Sequence, residues 1–185
     1  SVAQFDYKPK QLDFERLLYS GQIIGGSFTA KLTSNKGQRD LLFRQKETIQ
    51  LLVKVNKPSY FYIVGHANNI EKKLSYLLDL NNAPGDDKFI SYLGMDEVNK
   101  WVVIGEFEAQ PPFGSESLQL FSATIKPIDM LPATQFDGTY HVIAGKRSKA
   151  ITKTRGLVKK QKKVVKDGKE QAEVAEAVLS LTTTL

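Results

Sequence analysis

The sequence predicts a mainly β protein, folded as an antiparallel β-sandwich or a partly open barrel with one short N-terminal helix or arm. Short runs in which apolar and polar side chains alternate recur along the chain, Gly, Pro and Asn turns separate them, and helix signals are few. With 185 residues, of which 41% are hydrophobic and 25% charged, the chain can build a domain with its own core. No apolar run has the length of about 18 residues that a membrane-spanning helix needs.

Residues 1–22 are predicted to form the N-terminal arm or short helix. Four apolar side chains in the segment LDFERLLYSG can share one helical face: Leu12, Phe14, Leu17 and Leu18. Gly21 follows where a helix would end, because glycine accepts the backbone angles of a helix C-cap. An extended arm that packs on the sheets is the alternative.

Residues 23–144 are predicted to form the core of the sandwich. GGSFTAKLTS predicts a first strand, which ends at a turn near Asn35. TIQLLVKV, residues 48–55, directs alternate side chains to one apolar face, and SYFYIVGH follows from Ser59. Because only residues 56–58 separate these two runs, we expect them to form an antiparallel hairpin.

KLSYLLDL, residues 73–80, is predicted to be a strand, because every second residue is Leu or Tyr. Three of its leucines would also fit one helical turn, so a helix is the alternative. NNAPGDDK, residues 81–88, is predicted to be a loop, because it places Pro and Gly side by side among turn-forming polar residues.

Three further strands are predicted toward the C-terminus. WVVIGEFEA should place four residues on one side: Trp101, Val103, Gly105 and Phe107. GSESLQLFSATIKP predicts a strand centred on Leu118 and Leu120. A final strand from about Ala175 to Thr183 is preferred over a helix, because the segment ends in the β-favouring residues LSLTTT.

The composition excludes several kinds of chemistry. Without cysteine, the chain has no disulfide, thiolate nucleophile or zinc–thiolate site. His66 and His141 lack the spacing of metal ligands, and five carboxylates that cluster in the sequence lack the spacing of a calcium loop: Asp79, Asp86, Asp87, Asp96 and Glu97. No nucleophile elbow or phosphate-binding loop is present. We therefore expect no metal, no cofactor and no enzymatic activity.

The segment QPPFGSE, Gln110 to Glu116, is a candidate binding loop. Its two prolines favour an extended backbone, Phe113 offers a large apolar side chain, and Gly114 permits a sharp turn. The alternative is a rigid corner between two strands, in which Phe113 plugs the end of the core.

Residues 145–185 are predicted to complete the same domain as a basic β-hairpin and a C-terminal strand. Residues 145–169 contain eleven Lys or Arg against one Asp, a net charge of +10, so the rest of the chain carries −4. Asp167-Gly168 suits a two-residue hairpin turn. The candidate binding residues of this segment are Lys146, Arg147, Lys149, Lys153, Arg155, Lys159, Lys160, Lys162 and Lys163.

Three interpretations of the basic segment are open. It can be a solvated, lysine-rich edge that discourages aggregation between sheets. It can contact an anionic envelope surface or the acidic patch of an envelope protein, since a cationic ribbon releases counterions on binding. Nucleic acid is the third and less favoured partner, because the segment has no aromatic side chain on which a base could stack.

Several segments together suggest a family: ETI at 47–49, SYFYI at 59–63, LSYLLDLN at 74–81, GEFEAQPPFGSESLQLFSAT at 105–124 and ITKTRGL at 151–157. They resemble an uncharacterised bacterial domain of unknown function, found in exported lipoproteins and downstream of caspase-like peptidase or kinase-like modules. The resemblance spans roughly residues 41–185. It implies an accessory module exposed in the cell envelope, in the periplasm or associated with the outer membrane, with any signal or anchor outside this chain, and it implies no site residues.

Taken together, these features predict a non-enzymatic interaction or assembly module of a bacterial cell-envelope protein. It would dock through its sheet edges and the basic hairpin onto an envelope protein or an anionic envelope surface. The alternative is a nucleic-acid-binding β-domain that uses the basic segment, residues 146–169.

Overall fold

The computed structural model of the chain describes residues 22–24, 26–68, 73–84, 88–127, 134–143 and 171–185. In these ranges the protein is mainly β, as predicted, and its sheets form a sandwich-like fold that is not closed into a barrel. The strands are β1 (Gln22–Ile24), β2 (Ala30–Ser34), β3 (Leu41–Arg44), β4 (Thr48–Val55), β5 (Ser59–Asn68), β6 (Lys73–Leu77), β7 (Ser91–Leu93), β8 (Val102–Glu108), β9 (Gly114–Ala123), β10 (Thr134–Phe136), β11 (His141–Ile143) and β12 (Gln171–Thr184). A 3-10 turn spans Met95–Glu97. Of the helical segments in the described ranges, none has the length and apolar character needed to cross a bilayer.

The described strands form a large and a small sheet. The large sheet has nine strands, with β1, β12, β9, β5, β6, β11 and β10 in this order, while β3 pairs with β12 and β7 pairs with β5. β9 is antiparallel to both of its long neighbours, β12 and β5. The small sheet has the antiparallel order β2, β4, β8.

The two sheets enclose the main hydrophobic core. Leu51 and Val53 of β4 and Ile63 and Leu120 of the large sheet are buried in one cluster, with at most 1% of their surface exposed. The opposite face of the large sheet carries a second cluster, in which the rings of Tyr62 and Phe121 stack with centroids 5.2 Å apart. The centre of the large sheet is therefore buried on both faces.

The predicted hairpin between residues 48–55 and the strand from Ser59 is wrong. β4 pairs with β2 and β8, whereas β5 pairs with β6, β7 and β9 in the other sheet. Both strands bury alternate side chains in the same core, so they pack face to face instead of edge to edge. An alternating pattern marks the buried side of a strand but does not identify its hydrogen-bonded neighbour.

The prediction that Trp101, Val103, Gly105 and Phe107 lie on one side of a strand is also only partly correct. The strand forms as β8, but the side chains of Trp101 and Val103 are 42% and 46% exposed, whereas Val102, Ile104 and Phe107 pack against the core. The cause is an irregularity in the pairing with β4, where Leu51 and Leu52 lie opposite Gly105 and Val103. The extra residue in β8 shifts the alternation by one position.

Other strand predictions are confirmed within the described residues. The strand predicted over 73–80 is shorter than expected, since β6 ends at Leu77. Of the loop predicted over 81–88, residues 81–84 contain neither helix nor strand. The strand centred on Leu118 and Leu120 is β9, and the C-terminal strand, β12, begins before Ala175. The predicted N-terminal arm, apart from Gln22, and the basic hairpin lie outside the described residues.

Candidate functional site

The corner between β8 and β9 is held at both ends by hydrogen bonds. Before the corner, the Ala109 N–H donates to the Glu47 carbonyl (3.0 Å), and the Lys46 N–H donates to the Ala109 carbonyl (2.8 Å). After it, the Gly114 N–H donates to Oγ1 of Thr183 on β12 (3.2 Å). These bonds tie the corner to the segment before β4 and to β12, so they fix the position of the residues between them.

A cleft of about 750 Å³ lies at this corner. Its apolar lining comes from both sheets, with Ile49, Leu51 and Phe107 on the small sheet and Leu118 and Leu181 on the large sheet. Further lining residues come from the corner and from the β10–β11 hairpin: Gln110, Pro111, Pro112, Phe136, Thr139, Tyr140 and His141. We call this space the inter-sheet cleft.

Glu116 places a carboxyl in the inter-sheet cleft. On β9 it lies opposite Ala67 of β5 and Leu181 of β12, and strand alternation puts it on the same side as the buried Leu118. Burial raises the pKa of Glu116 from 4.5 to about 7, and a hydrogen bond with Tyr76 partly offsets this rise. The carboxyl is therefore only partly ionised at neutral pH.

Tyr76 can reach Glu116 because Gly65 leaves room for its ring. The two residues pair across β5 and β6, and a Cβ atom at position 65 would lie 2.2 Å from Cζ of Tyr76. Tyr140 packs against the buried Tyr76, with ring centroids 4.5 Å apart. Burial and the nearby Glu116 raise the pKa of Tyr76 well above 10 and the pKa of Tyr140 to about 12, so both hydroxyls are protonated at neutral pH.

Other charged groups lie along the cleft lining. The Asp79 carboxylate accepts a hydrogen bond from the Asn82 N–H (2.9 Å), and the Glu108 carboxylate accepts one from the Gln110 amide. Burial lowers the pKa of His141, Lys88 lowers it further, and the nearby carboxylates of Asp79 and Asp137 raise it. The lining thus includes three carboxyl groups, those of Asp79, Glu108 and Glu116, and one ammonium group, that of Lys88.

A second polar cluster lies on the other face of the large sheet. Nδ1 of the buried His66 is 2.7 Å from Oγ of Ser75, and its Nε2 is 3.2 Å from Oε1 of Gln119. A hydroxyl beside an imidazole can act as a nucleophile, but burial lowers the pKa of His66 to about 4, which makes it a weak base at neutral pH. None of the three residues lines the inter-sheet cleft. We interpret the cluster as a buried network that joins β5, β6 and β9.

The structure places some of the residues singled out in the sequence near this cleft. Phe113 is half-buried and lines a small hollow beside the cleft, together with Pro112, Glu116 and Tyr140. The nine basic candidates lie outside the described residues: Lys146, Arg147, Lys149, Lys153, Arg155, Lys159, Lys160, Lys162 and Lys163. Of the five clustered carboxylates, Asp79 lines the cleft, Asp96 and Glu97 lie on the 3-10 turn, and Asp86 and Asp87 are outside the described residues.

Sequence reasoning did not assign a role to Glu116, Tyr76 or Tyr140. One signal was available for Glu116, which lies two and four positions before Leu118 and Leu120. Because side chains alternate along a strand, Glu116 lies on the same side as these leucines, which were expected to face the core. A carboxylate at a core-facing position predicts either a buried partner or a cavity. No comparable signal existed for Tyr140, since the β10–β11 hairpin was not predicted.

Within the described ranges, no three His, Asp or Glu side chains are grouped closely enough to hold a metal ion. Comparisons with models of known protein families, with curated proteins and with solved structures find no match to this chain. The resemblance to the exported bacterial domain therefore stays a prediction.

Proposed function

We propose that this chain is a non-enzymatic interaction module of a bacterial cell-envelope protein, and that it receives a segment of a partner protein in the inter-sheet cleft. The envelope location is a proposal that rests on the sequence resemblance. The binding role rests on one observation, a cleft lined by core residues of both sheets and bordered by a fixed corner of the chain.

The size and lining of the cleft support binding of an apolar side chain with its flanking backbone. Clefts that hold small ligands or short segments commonly enclose about 300–1,000 Å³ and combine an apolar lining with a few polar groups. The inter-sheet cleft, at about 750 Å³, lies within this range. Its polar groups, Glu116, Tyr76 and Tyr140, stand close together, so they can orient whatever enters the apolar part.

The arrangement of the carboxyl groups favours binding over hydrolysis. Hydrolysis by a pair of carboxylic acids requires both groups to face the reacting bond. In this cleft, Asp79 and Glu108 are hydrogen-bonded to neighbours in their own segments, and Glu116 is hydrogen-bonded to Tyr76. Each carboxyl is thus hydrogen-bonded to a different neighbour.

Filling the cleft from its rim should weaken binding. Thr139 is an exposed lining residue on the β10–β11 turn, so Thr139→Trp adds a large ring there without disturbing the core. In panning of a phage-displayed random nonapeptide library on the full chain, we expect the wild type to select peptides. We expect Thr139→Trp to bind those peptides at least about ten-fold more weakly.

Lys31→Trp is the matched control, because Lys31 is exposed on β2 and does not line the cleft. Both variants should melt at the wild-type temperature, and Lys31→Trp should keep the wild-type affinity. Equal affinity of Thr139→Trp and the wild type would place the binding surface elsewhere, and failure to select any peptide would argue against a peptide-binding cleft.

Docking of the basic segment on an anionic envelope surface is a separate part of the proposal. Changing Lys159, Lys160, Lys162 and Lys163 to Glu replaces four positive charges with four negative charges. We expect this variant to lose binding to vesicles that contain phosphatidylglycerol at low salt, while its melting temperature is unchanged. Retained binding of the variant to the vesicles would exclude the electrostatic contact. The nucleic-acid alternative would be favoured if, at physiological salt, the wild type bound a DNA duplex more strongly than these vesicles.

A further inference from the structure

The inter-sheet cleft combines an apolar channel with a carboxyl group at one side. Glu116 follows the alternation of Leu118 on β9 and lies opposite Leu181 on β12, and both leucines line the same cleft. A side chain that enters here thus meets hydrocarbon along its length and a carboxyl near the paired tyrosines. Only an amphipathic group, with an apolar stem and a polar end, satisfies both surroundings.

The charges of the lining favour a cation at that polar end. The pKa of Glu116 depends on its burial and on the hydrogen bond with Tyr76. Lys88, the ammonium group of the lining, lowers the pKa of His141. Three carboxyl groups and one ammonium group line the cleft, so a cationic ligand meets a complementary field. Tyr140 and Phe113 add aromatic rings beside Glu116 in the adjoining hollow, and aromatic faces attract ammonium groups.

The hydrogen bond from Tyr76 favours an ammonium over a guanidinium. A carboxylate has room for about four hydrogen bonds on its two oxygens. A guanidinium binds best when both oxygens are free for two parallel bonds, but the hydroxyl of Tyr76 occupies part of this carboxyl. The ammonium group of lysine is compact, does not require two parallel hydrogen bonds, and is attached to a four-carbon apolar chain.

We propose that the segment bound in the inter-sheet cleft presents a lysine side chain, whose stem lies along Leu118 and Leu181 and whose ammonium group pairs with Glu116. This inference rests on the proposed peptide-binding function and adds the chemical identity of the group that is recognised. Glu116 is the specificity-determining residue, with Tyr76 and Tyr140 beside it.

Three small probes test the pairing directly: n-hexylammonium, n-hexanol and n-hexylguanidinium. Each is titrated into the full ¹⁵N-labelled chain, and amide shifts report binding. At pH 8 we expect n-hexylammonium to bind about ten-fold more tightly than n-hexanol and more tightly than n-hexylguanidinium, with shifts at Glu116, Leu118 and Tyr140. Glu116→Gln keeps the size of the side chain and should remove the advantage of n-hexylammonium over n-hexanol.

The pH dependence adds a second readout. The cleft is lined by several titratable groups: Glu116, Tyr76, Tyr140, Asp79, Glu108, Lys88 and His141. The advantage of n-hexylammonium should fall by about ten-fold between pH 8 and pH 6 in the wild type, as Glu116 becomes protonated. The same pH titration of Glu116→Gln measures the contribution of His141, which is then subtracted from the wild-type pH dependence. An advantage that is independent of pH in the wild type would overturn the pairing with Glu116.

The other outcomes separate this inference from the proposed function. If n-hexanol and n-hexylammonium bind equally, the cleft binds apolar groups but does not recognise a cation, and the inference alone fails. Tighter binding of n-hexylguanidinium would overturn the choice of lysine. A further outcome is that n-hexylammonium binds, while peptides selected on the wild type contain no more lysine than peptides selected on Glu116→Gln. The natural ligand is then a small amine and not a lysine of a partner protein. If no probe shifts the cleft residues, both proposals fail.

Discussion

Gly65→Ala is expected to destabilise the protein by about 2–3 kcal/mol and to displace Tyr76 from the inter-sheet cleft. A Cβ atom at position 65 would lie 2.2 Å from Cζ and 2.6 Å from the hydroxyl oxygen of Tyr76, far inside van der Waals contact. The ring of Tyr76 is buried between Gly65 and Tyr140, so it cannot move without disturbing its neighbour. The hydrogen bond to Glu116 should be lost as well, because the added methyl group occupies the place of the hydroxyl end of the ring.

Urea unfolding of the wild type, Gly65→Ala and Gly94→Ala measures the effect. Gly94 is the matched control, because it has φ of −87° and a Cβ atom there would meet only ordinary contact, 3.5 Å from the ring of Tyr92. We expect Gly94→Ala to change the free energy of unfolding by less than about 0.5 kcal/mol. A Gly65→Ala variant as stable as the wild type would show that Tyr76 does not cover position 65.

Glu116→Gln is expected to stabilise the protein above neutral pH and to have little effect at pH 5. The pKa of Glu116 is about 7 in the folded protein and 4.5 is its ordinary value, so between these values the folded protein holds a proton that the unfolded chain has released. The contribution of Glu116 to stability is therefore greatest at low pH and is lost as the pH rises through this window. Because the side chain keeps some contact with water, we expect the loss to be about 2 kcal/mol at pH 8.

His66 acts in the opposite direction and must be separated from Glu116. Burial lowers the pKa of His66 from 6.5 to about 4, so the unfolded chain binds a proton that the folded protein excludes, and stability falls as the pH drops through that range. The two contributions partly cancel in the wild type. The difference in unfolding free energy between Glu116→Gln and the wild type removes the contribution of His66, and this difference should grow from near zero at pH 5 to about 2 kcal/mol at pH 8.

Glu106→Gln controls for the loss of one carboxylate, since Glu106 is exposed on β8. It should show no comparable gain in stability at pH 8. A difference between Glu116→Gln and the wild type that is the same at pH 5 and pH 8 would mean that Glu116 is well hydrated in the folded protein.

Much of the fold was predictable because one side of each strand faces a core. The strand at 48–55 buries alternate side chains, so period-two alternation identified it. The strands at 59–66 and 114–123 bury consecutive side chains as well, and the aromatic and β-branched residues of 59–66 indicated that strand. The pairing of β4 and β5 was not predictable, because both strands bury apolar side chains in the same core from different sheets. The short strands β3, β7, β10 and β11 have three or four residues each, too few for a pattern to be recognised.

The site was less predictable, because it depends on residues that only the sheet pairing brings together. Tyr76 and Gly65 are neighbours through the pairing of β5 with β6, and Tyr140 reaches them through the pairing of β6 with β11. QPPFGSE was recognised as a distinctive segment, yet its position beside a cleft depends on hydrogen bonds from Ala109 and Gly114 to distant segments. Alternation could have marked Glu116 as facing the core, but not Tyr76 as its partner.

A carboxyl held away from water beside Tyr76 has a direct signature in the NMR titration of its side chain. The ¹³C shift of the Glu116 carboxyl, assigned by its absence in Glu116→Gln, should titrate in the folded protein with a midpoint near pH 7. In Tyr76→Phe the midpoint should move higher still, because the hydrogen bond from Tyr76 lowers the pKa of Glu116. A midpoint near the ordinary value of 4.5 would contradict the burial of Glu116 in the inter-sheet cleft.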